Sequence, residues 1–240
     1  MIVVTGANGG IARKVLEDSV GEGFACKGLT TSRERSRENP DVNYITVVAG
    51  PDDSSIYDEY FEIFCTLSAD VTGLALLHGV AKNLNPKSTF LEVFRENLEV
   101  NLVKTVLIIE AFLDARARLK KSPVCSVVLA GTASANRGGR IDRNPGYATA
   151  KYALQNLAMA YGKLFPNTFC RFNCVALGFI DSGMHFNSDK NFSSASRAAS
   201  IPLGRAGSVS DASSIIRFLL SSDSEFINGE TIRCDGGDFI

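Results

Sequence analysis

An α/β fold, a single doubly wound parallel sheet of about seven strands with helices on both faces, follows from two features of the sequence. Apolar strand-like runs alternate with helix-period segments from one end to the other, the pattern of strand–helix–strand units. The first such run also passes directly into a glycine-rich turn that opens a helix. One domain spanning 1–240 accommodates the chain: it has no internal repeats, no low-complexity segment and no charge-run linker. A chain of 240 residues is long enough to bury a substantial core.

Taken in order, Met1 to Thr5 reads as a short buried strand, Thr5 to Ala12 as the glycine turn, and Arg13 to Val20 as a helix. Strand, glycine turn, helix is the arrangement that sets backbone N–H groups and a helix N-terminus against a pyrophosphate. Gly6 and Gly10 let the backbone approach closely, and Ala12 mildly replaces a third glycine. Phe24 to Thr31 is the second strand. At its end stand Thr30-Thr31-Ser32-Arg33, with Arg35 and Arg37 beyond and no acidic residue before Glu34. Hydroxyls and arginine suit a ribose 2′-phosphate, whereas an acidic group would suit a free 2′-OH. The expected cofactor is therefore NADP(H), with NAD(H) possible.

Val42 to Val48 is the third strand, Asp53 to Phe64 a helix with an Asp-Ser cap, and Leu74 to Leu77 the fourth strand, running into His78-Gly79-Val80-Ala81. Thr89 to about Lys120 is predicted as two helices joined near Val100, with apolar positions at Val103, Val106, Leu107 and Phe112. Asn101 lies within this stretch, and an amide on an apolar segment needs a partner. Val124 to Ala130 is the fifth strand and leads into Gly131-Thr132-Ala133-Ser134. Arg171 to Ala176 is the sixth. A segment around 177–200 lacks a clean period and reads as a lid or substrate loop. Asp211 to Ser221 is the last helix and Glu230 to Cys234 the last strand.

Between the fifth and sixth strands runs Tyr147-Ala148-Thr149-Ala150-Lys151, continued by Leu154 and Leu157. On a helix, residues four apart share a face, so the phenol and the ammonium point the same way. A cation beside a phenol favours its ionised form, and the pair can pass a proton to or from a carbonyl or alcohol oxygen.

Composition narrows the function classes. A formal charge of −1 argues against a nucleic-acid or anionic-membrane partner, and no apolar run reaches the length of a membrane span. Met1-Ile2-Val3-Val4-Thr5 carries no basic leader, so no secretory signal is expected. The six cysteines form no C-x-x-C pair and there are two histidines, so a metal site is not expected. Buried reduced thiols in a cytoplasmic protein are the expectation.

Four blocks give the chain a resemblance: the Thr5-to-Ala12 turn, Asn101, the Tyr147/Lys151 pair, and Ile201-Pro202-Leu203-Gly204-Arg205 with Asn228-Gly229-Glu230 and Asp235-Gly236-Gly237. In these and in their spacing it resembles the short-chain dehydrogenase/reductase family over essentially its whole length. Among the members it is most similar to the 3-oxoacyl carrier-protein reductase-like ones. The resemblance implies a Rossmann-like fold and hydride transfer between a nicotinamide and a carbonyl or secondary alcohol. It implies Tyr147 as general acid or base, Lys151 lowering its pKa and holding the nicotinamide ribose, and Asn101 positioning a water. Thr132 is implied as the hydroxyl polarising the substrate oxygen, with Ser134 the alternative; Ser134 and Met184 would face the substrate. Cofactor contacts are implied for Gly6, Asn8, Gly9, Gly10, Ile11, Thr31, Ser32, Arg33, His78, Gly79, Tyr147, Lys151, Gly178, Ile180 and Ser182. A homodimer or homotetramer is implied as well.

The sequence departs from the family pattern in places. His78-Gly79-Val80-Ala81 replaces an Asn-Asn-Ala-Gly block and locally resembles the carrier-protein enoyl reductases. An aspartate expected near Val48-Ala49 is absent, and Leu177-Gly178 replaces a proline-glycine, while Ile180 and Ser182 still match. Two rival readings are a non-catalytic NADP(H)-sensing protein on the same fold and an enoyl reductase, whose tyrosine–lysine pair stands at longer spacing.

Overall fold

The chain folds as β1 (Ile2–Thr5), α1 (Gly10–Gly21), β2 (Cys26–Thr30), β3 (Asn43–Thr46), α2 (Asp53–Leu67), β4 (Gly73–Leu76), α3 (Phe90–Leu98), α4 (Lys104–Ala117), β5 (Cys125–Thr132), α5 (Tyr147–Leu164), β6 (Cys170–Leu177), β7 (Ile180–Asp181), α6 (Ser194–Ala199), β8 (Gly207–Ser208), α7 (Val209–Leu220) and β9 (Thr231–Cys234). The computed structural model describes residues 1–31, 40–48, 52–67, 69–119, 123–164, 170–183 and 194–239. Seven strands form one sheet in the order β3-β2-β1-β4-β5-β6-β9, every neighbouring pair parallel. The order reverses between β1 and β4, and at such a switch point the crossovers diverge and leave a crevice at the strand ends.

Both faces of the sheet are covered because its strands are apolar on both sides. Val3 joins a core with Phe64 of α2, Phe112 of α4 and Leu154 of α5. Its neighbours Ile2 and Val4 join the opposite core with Val15 and Leu16 of α1 and Ile216 and Leu219 of α7. This is the α/β architecture that the alternating pattern predicts.

Several expectations are corrected in detail, while the two helices expected to join near Val100 are found as α3 and α4, joined by a π-helical turn at Glu99–Val103. The wide turn carries Asn101 inward and fully buries it. The cap of α2 is Asp52, whose Oδ1 accepts from Ser55 N at 2.9 Å, one residue before the expected position. The segment around 177–200 contains β7, paired with β8, and the short α6. Phe112, Leu154 and Tyr161 are core residues. The large exposed apolar side chains on α3 and α5 are Phe90, Leu91, Tyr152, Met159 and Leu164. Of the six thiols, Cys65 is exposed and Cys234 half-buried, against the expectation that all are buried.

Candidate active site

A cavity of about 490 Å³ opens where the C-terminal ends of β1, β4, β5 and β6 face the N-terminus of α5. Ile11, just after the glycine turn, contributes its first wall. Gly6 has φ +67°, and a Cβ there would lie 2.7 Å from His78 Cα, so only glycine fits. Gly9 N donates to Gly6 O at 2.8 Å, closing the turn. Gly9 then stands at the N-cap of α1 with no side-chain cap and no acidic residue in the first turn. Ile11 lines the cavity beside it. An uncapped helix N-terminus with small residues is a natural seat for a phosphate. Asn8 Nδ2 donates to Thr30 Oγ1 at 2.6 Å and ties the turn to the end of β2, where Thr31 follows, exposed. The remaining residues expected there, Ser32 and Arg33, and the expected pocket residue Met184 lie outside the described residues.

The second wall is Leu77-His78-Gly79 with Ala81, just after β4. His78 is held at both ring nitrogens, Nδ1 by Thr5 Oγ1 at 2.8 Å and Nε2 by Thr105 Oγ1 at 3.0 Å. The Thr105 hydroxyl donates to Asn101 O at 2.9 Å, so Nε2 carries the ring hydrogen and Nδ1 accepts from Thr5. Desolvation, with Lys151 and Lys104 nearby, pushes His78 down to about 3, and the ring is neutral. His78 is thus a brace between β1, β4 and the π-turn, the structural role its position suggests.

Two amides beneath this loop hold it in place. Asn101 Nδ2 donates to Val80 O at 2.8 Å and its Oδ1 accepts from Val80 N at 3.1 Å. Asn97, one helical turn earlier, does the same to Lys82 (3.0 Å each way) and also donates to Pro145 O at 2.9 Å. The Asn101 side chain is thereby committed to backbone, and its main-chain carbonyl accepts from Thr105 Oγ1. Asn97 was not singled out from the sequence; its polar side chain in the helix that carries Asn101 is the signal that could have found it.

Tyr147 and Lys151 begin α5. Gly146, at φ +83°, precedes them where a Cβ would strike Phe94 O at 2.5 Å, so the helix starts hard against α3. Both residues line the cavity. Lys151, 4% exposed, points Nζ at His78 O at 3.4 Å. Burial pulls its ammonium down to about 8. Burial also pushes the Tyr147 phenol up to about 12, opposite to the lowering expected from the neighbouring cation. The reason is desolvation: the phenol lies in a low-dielectric recess, and the ammonium is turned toward the His78 carbonyl.

The hydroxyls converge from β5. Thr132, the last residue of that strand, has its Oγ1 3.0 Å from Ser134 Oγ and 3.4 Å from Leu177 O. Gln155 Nε2 fixes the Thr132 carbonyl at 3.2 Å. Both candidates therefore stand at one point of the wall. Gly178, Ile180 and Ser182 form the opposite side. Gly178 is pinned because a Cβ would lie 2.6 Å from Asp235 Cα, and Gly10 packs where its Cβ would meet Ser182 O at 2.8 Å. The structure thus brings together Gly6, Gly9, Gly10, Ile11, His78, Gly79, Asn101, Thr132, Ser134, Tyr147, Lys151, Gly178, Ile180 and Ser182, from residues far apart in the chain.

A glycine-turned crevice at the switch point of a doubly wound parallel sheet places the molecule among the Rossmann-like folds. The family model described as enoyl-(acyl carrier protein) reductase matches residues 58–238, and the chain belongs to the short-chain dehydrogenase/reductase family, oxidoreductases acting on carbonyl and alcohol groups with nicotinamide dinucleotides. It is 25% identical over 245 residues to the 3-oxoacyl-[acyl-carrier-protein] reductase FabG of Salmonella typhimurium, covering 99% of this chain and 96% of that one. It is 25% identical over 257 residues to levodione reductase of Leifsonia aquatica, covering 99% and 93%. Among solved structures it superposes on Thermoplasma acidophilum aldohexose dehydrogenase with a TM-score of 0.81 at 21% identity, covering 99% of this chain and 93% of the other. Among the described residues no helix is long and apolar enough to cross a membrane, and no group of three or more His, Cys, Asp or Glu is placed to hold a metal ion.

Proposed function

We propose that this chain is an NADP(H)-dependent reductase or dehydrogenase of small carbonyl or secondary alcohol substrates, with Tyr147 as its general acid or base. The observation that carries the reading is the convergence of Tyr147, Lys151 and the Thr132–Ser134 hydroxyls on the same cavity as the uncapped N-terminus of α1. The residues present fit a dinucleotide: the α1 turn for its phosphates, His78-Gly79 and Gly178 to Ser182 for its nicotinamide half. When bound, the cofactor supplies the redox chemistry as a hydride donor or acceptor at its nicotinamide.

The protein's own groups handle position and protons. Thr132, with Ser134 beside it, donates a hydrogen bond to the substrate oxygen. With its pKa near 12, Tyr147 holds its proton at neutral pH and is set to give it to an oxygen gaining negative charge. Lys151 stays largely charged and stabilises the phenolate left behind. Asn101 holds the Val80 backbone in register, and by that placement it helps position a water relaying protons to Lys151.

NADP(H) is preferred over NAD(H) because Thr31, Ser32 and Arg33 follow β2 with no acidic acceptor. We also infer a cytoplasmic homodimer or homotetramer. The exposed Phe90, Leu91, Tyr152 and Met159 on α3 and α5 support pairing of these helices between copies. Steady oxidation of NADPH in the presence of carbonyl compounds tests the main reading. Tight NADPH binding with no turnover on any carbonyl would instead leave a cofactor-sensing protein.

A further inference from the structure

Thr132 stands where β5 has outrun one of its neighbours. Pairing with β4 reaches Leu129, opposite Leu76, while pairing with β6 continues to Thr132, opposite Leu177. Among the described residues, the end of β5 therefore has a neighbouring strand on the β6 side alone. At Thr132 the chain also leaves the sheet: extended at φ −136° and ψ 136°, this residue leads into a short 3-10 turn at Ala133–Arg137. The peptide between Thr132 and Ala133 is thus the joint between strand and turn, and the orientation of the Thr132 side chain depends on it. Gln155 holds that joint, its Nε2 donating to Thr132 O at 3.2 Å.

Gln155 is a buried amide, 9% exposed. It lies against the Gly131 backbone, where a Cβ would stand 3.4 Å from Gln155 Cγ and 2.8 Å from Cys174 Sγ. It also continues the spacing of the two residues before it, since Tyr147, Lys151 and Gln155 follow one another at intervals of four along α5. Steps of four drift by about 40° around a helix, so the three stay on one face. One rigid element therefore presents the phenol, the ammonium and a clamp on the peptide that carries the Thr132 hydroxyl. Threonine is β-branched and stiff at χ1, so the direction of its Oγ1 follows the backbone beneath it.

We propose that Gln155 is a positioning residue, acting through the Thr132 peptide to hold the Thr132 hydroxyl in a set place relative to Tyr147. The inference rests on the reading of Thr132 as the group that polarises the substrate oxygen. An oxygen gaining charge is stabilised by donors already aimed at it, and a donor free to swing loses part of that effect. Gln155 does not itself line the cavity. Its loss should therefore lower kcat and leave substrate KM and NADPH affinity near their wild-type values, the pattern of an interaction felt in the transition state.

The test replaces Gln155 by Met or, as a second variant, by Leu, both of which remove the donor at similar volume. Each change is made in the wild type and in T132V. The probes are ethyl acetoacetate, 4-nitrobenzaldehyde and 1,2-cyclohexanedione with NADPH, and NADPH binding is titrated separately by its fluorescence. Rates are taken per NADPH-binding site, so a loss of folded protein cancels. Q155M should lower kcat by about three- to tenfold, the equivalent of one neutral hydrogen bond, with KM and the NADPH Kd within about twofold. In T132V the same substitution should change kcat by less than about twofold, because the hydroxyl it positions is gone. An equal loss in both backgrounds would make Gln155 a structural prop and overturn the proposal alone. So would an unchanged kcat in Q155M, or a loss confined to KM or to NADPH affinity. A T132V protein as active as the wild type would overturn the reading of Thr132, leaving Gln155 no hydroxyl to position. Absence of turnover by the wild type on every probe would overturn the reductase reading and the proposal with it.

Discussion

Asn97 and Asn101 sit one helical turn apart and grip alternate residues of one extended strand of loop, Lys82 and Val80. Asn101 Nδ2 also donates to Asn97 O at 2.9 Å, so the two amides act as one ladder laid along the loop. The fit is geometric: four residues of helix rise about as far as two residues of extended chain.

Replacing Asn97 by Leu should be among the costlier single changes outside the cavity. It removes three hydrogen bonds and leaves the part-buried Lys82 groups and the buried Pro145 carbonyl unpaired. Each orphaned group costs about 1–3 kcal/mol. The melting temperature should drop by several degrees, and kcat should fall with it because Pro145 lies two residues before Tyr147. A melting temperature within a degree of wild type would remove Asn97 from this role.

Tyr147→Phe should abolish nearly all turnover, by about 10²–10⁴-fold, while leaving cofactor affinity almost unchanged. Retention of more than about a tenth of kcat on the true substrate would contradict the acid–base assignment. Lys151→Ala should lose both rate and cofactor binding.

Thr132→Val removes a hydroxyl at nearly constant volume, and loss of one oxyanion-type donor costs roughly 3–4 kcal/mol. Ser134→Ala should cost less. The two hydroxyls are in contact, so their effects should not add, and a double-mutant cycle measures the coupling. An inactive Ser134→Ala beside an active Thr132→Val would reverse the roles.

The neutral His78 makes stability depend on acid. Its folded pKa of about 3 lies below the ordinary value of 6.5, so the unfolded chain binds the extra proton between those limits. Stability from this group is complete above pH 6.5 and is lost as pH falls toward 3, with a slope approaching about 1.4 kcal/mol per pH unit. His78→Asn should be less stable at neutral pH and flatter between pH 6.5 and pH 4 in urea unfolding. Parallel curves for the two proteins would show that another group sets the acid limit.

Arg33→Ala should weaken NADPH binding by about 10- to 150-fold and scarcely affect NADH. Equal losses for both cofactors would make Arg33 structural, and a wild-type preference for NADH would reverse the assignment.

The parts of this fold that repeat a local rule were legible in the sequence. Alternating apolar runs gave the strands, the glycines gave the first turn, and the four-residue spacing put Tyr147 and Lys151 on one face. What was missed depends on neighbours distant in the chain. The π-turn arises because Asn101 and Thr105 answer partners at Val80 and His78, which no helix periodicity encodes. Tyr147 shifts upward because of the cavity that encloses it, a property of several segments at once. The arginines at 137, 140 and 143 read as an ordinary polar loop until the fold turns that loop toward the cleft. Thr132 and Ser134 could not be separated by spacing because they occupy the same place.

The strand order has a consequence for how the molecule comes to life. The walls of the cleft come from several parallel crossovers, and β9, followed by Phe239 of the cavity wall, stands at the sheet edge beside β6 among the described residues. No shorter stretch of chain contains a working fraction of the site. Parallel pairings between distant segments form slowly, so during refolding helix signal should return before any turnover does. Recovered activity would time the closing of the last edge of the sheet.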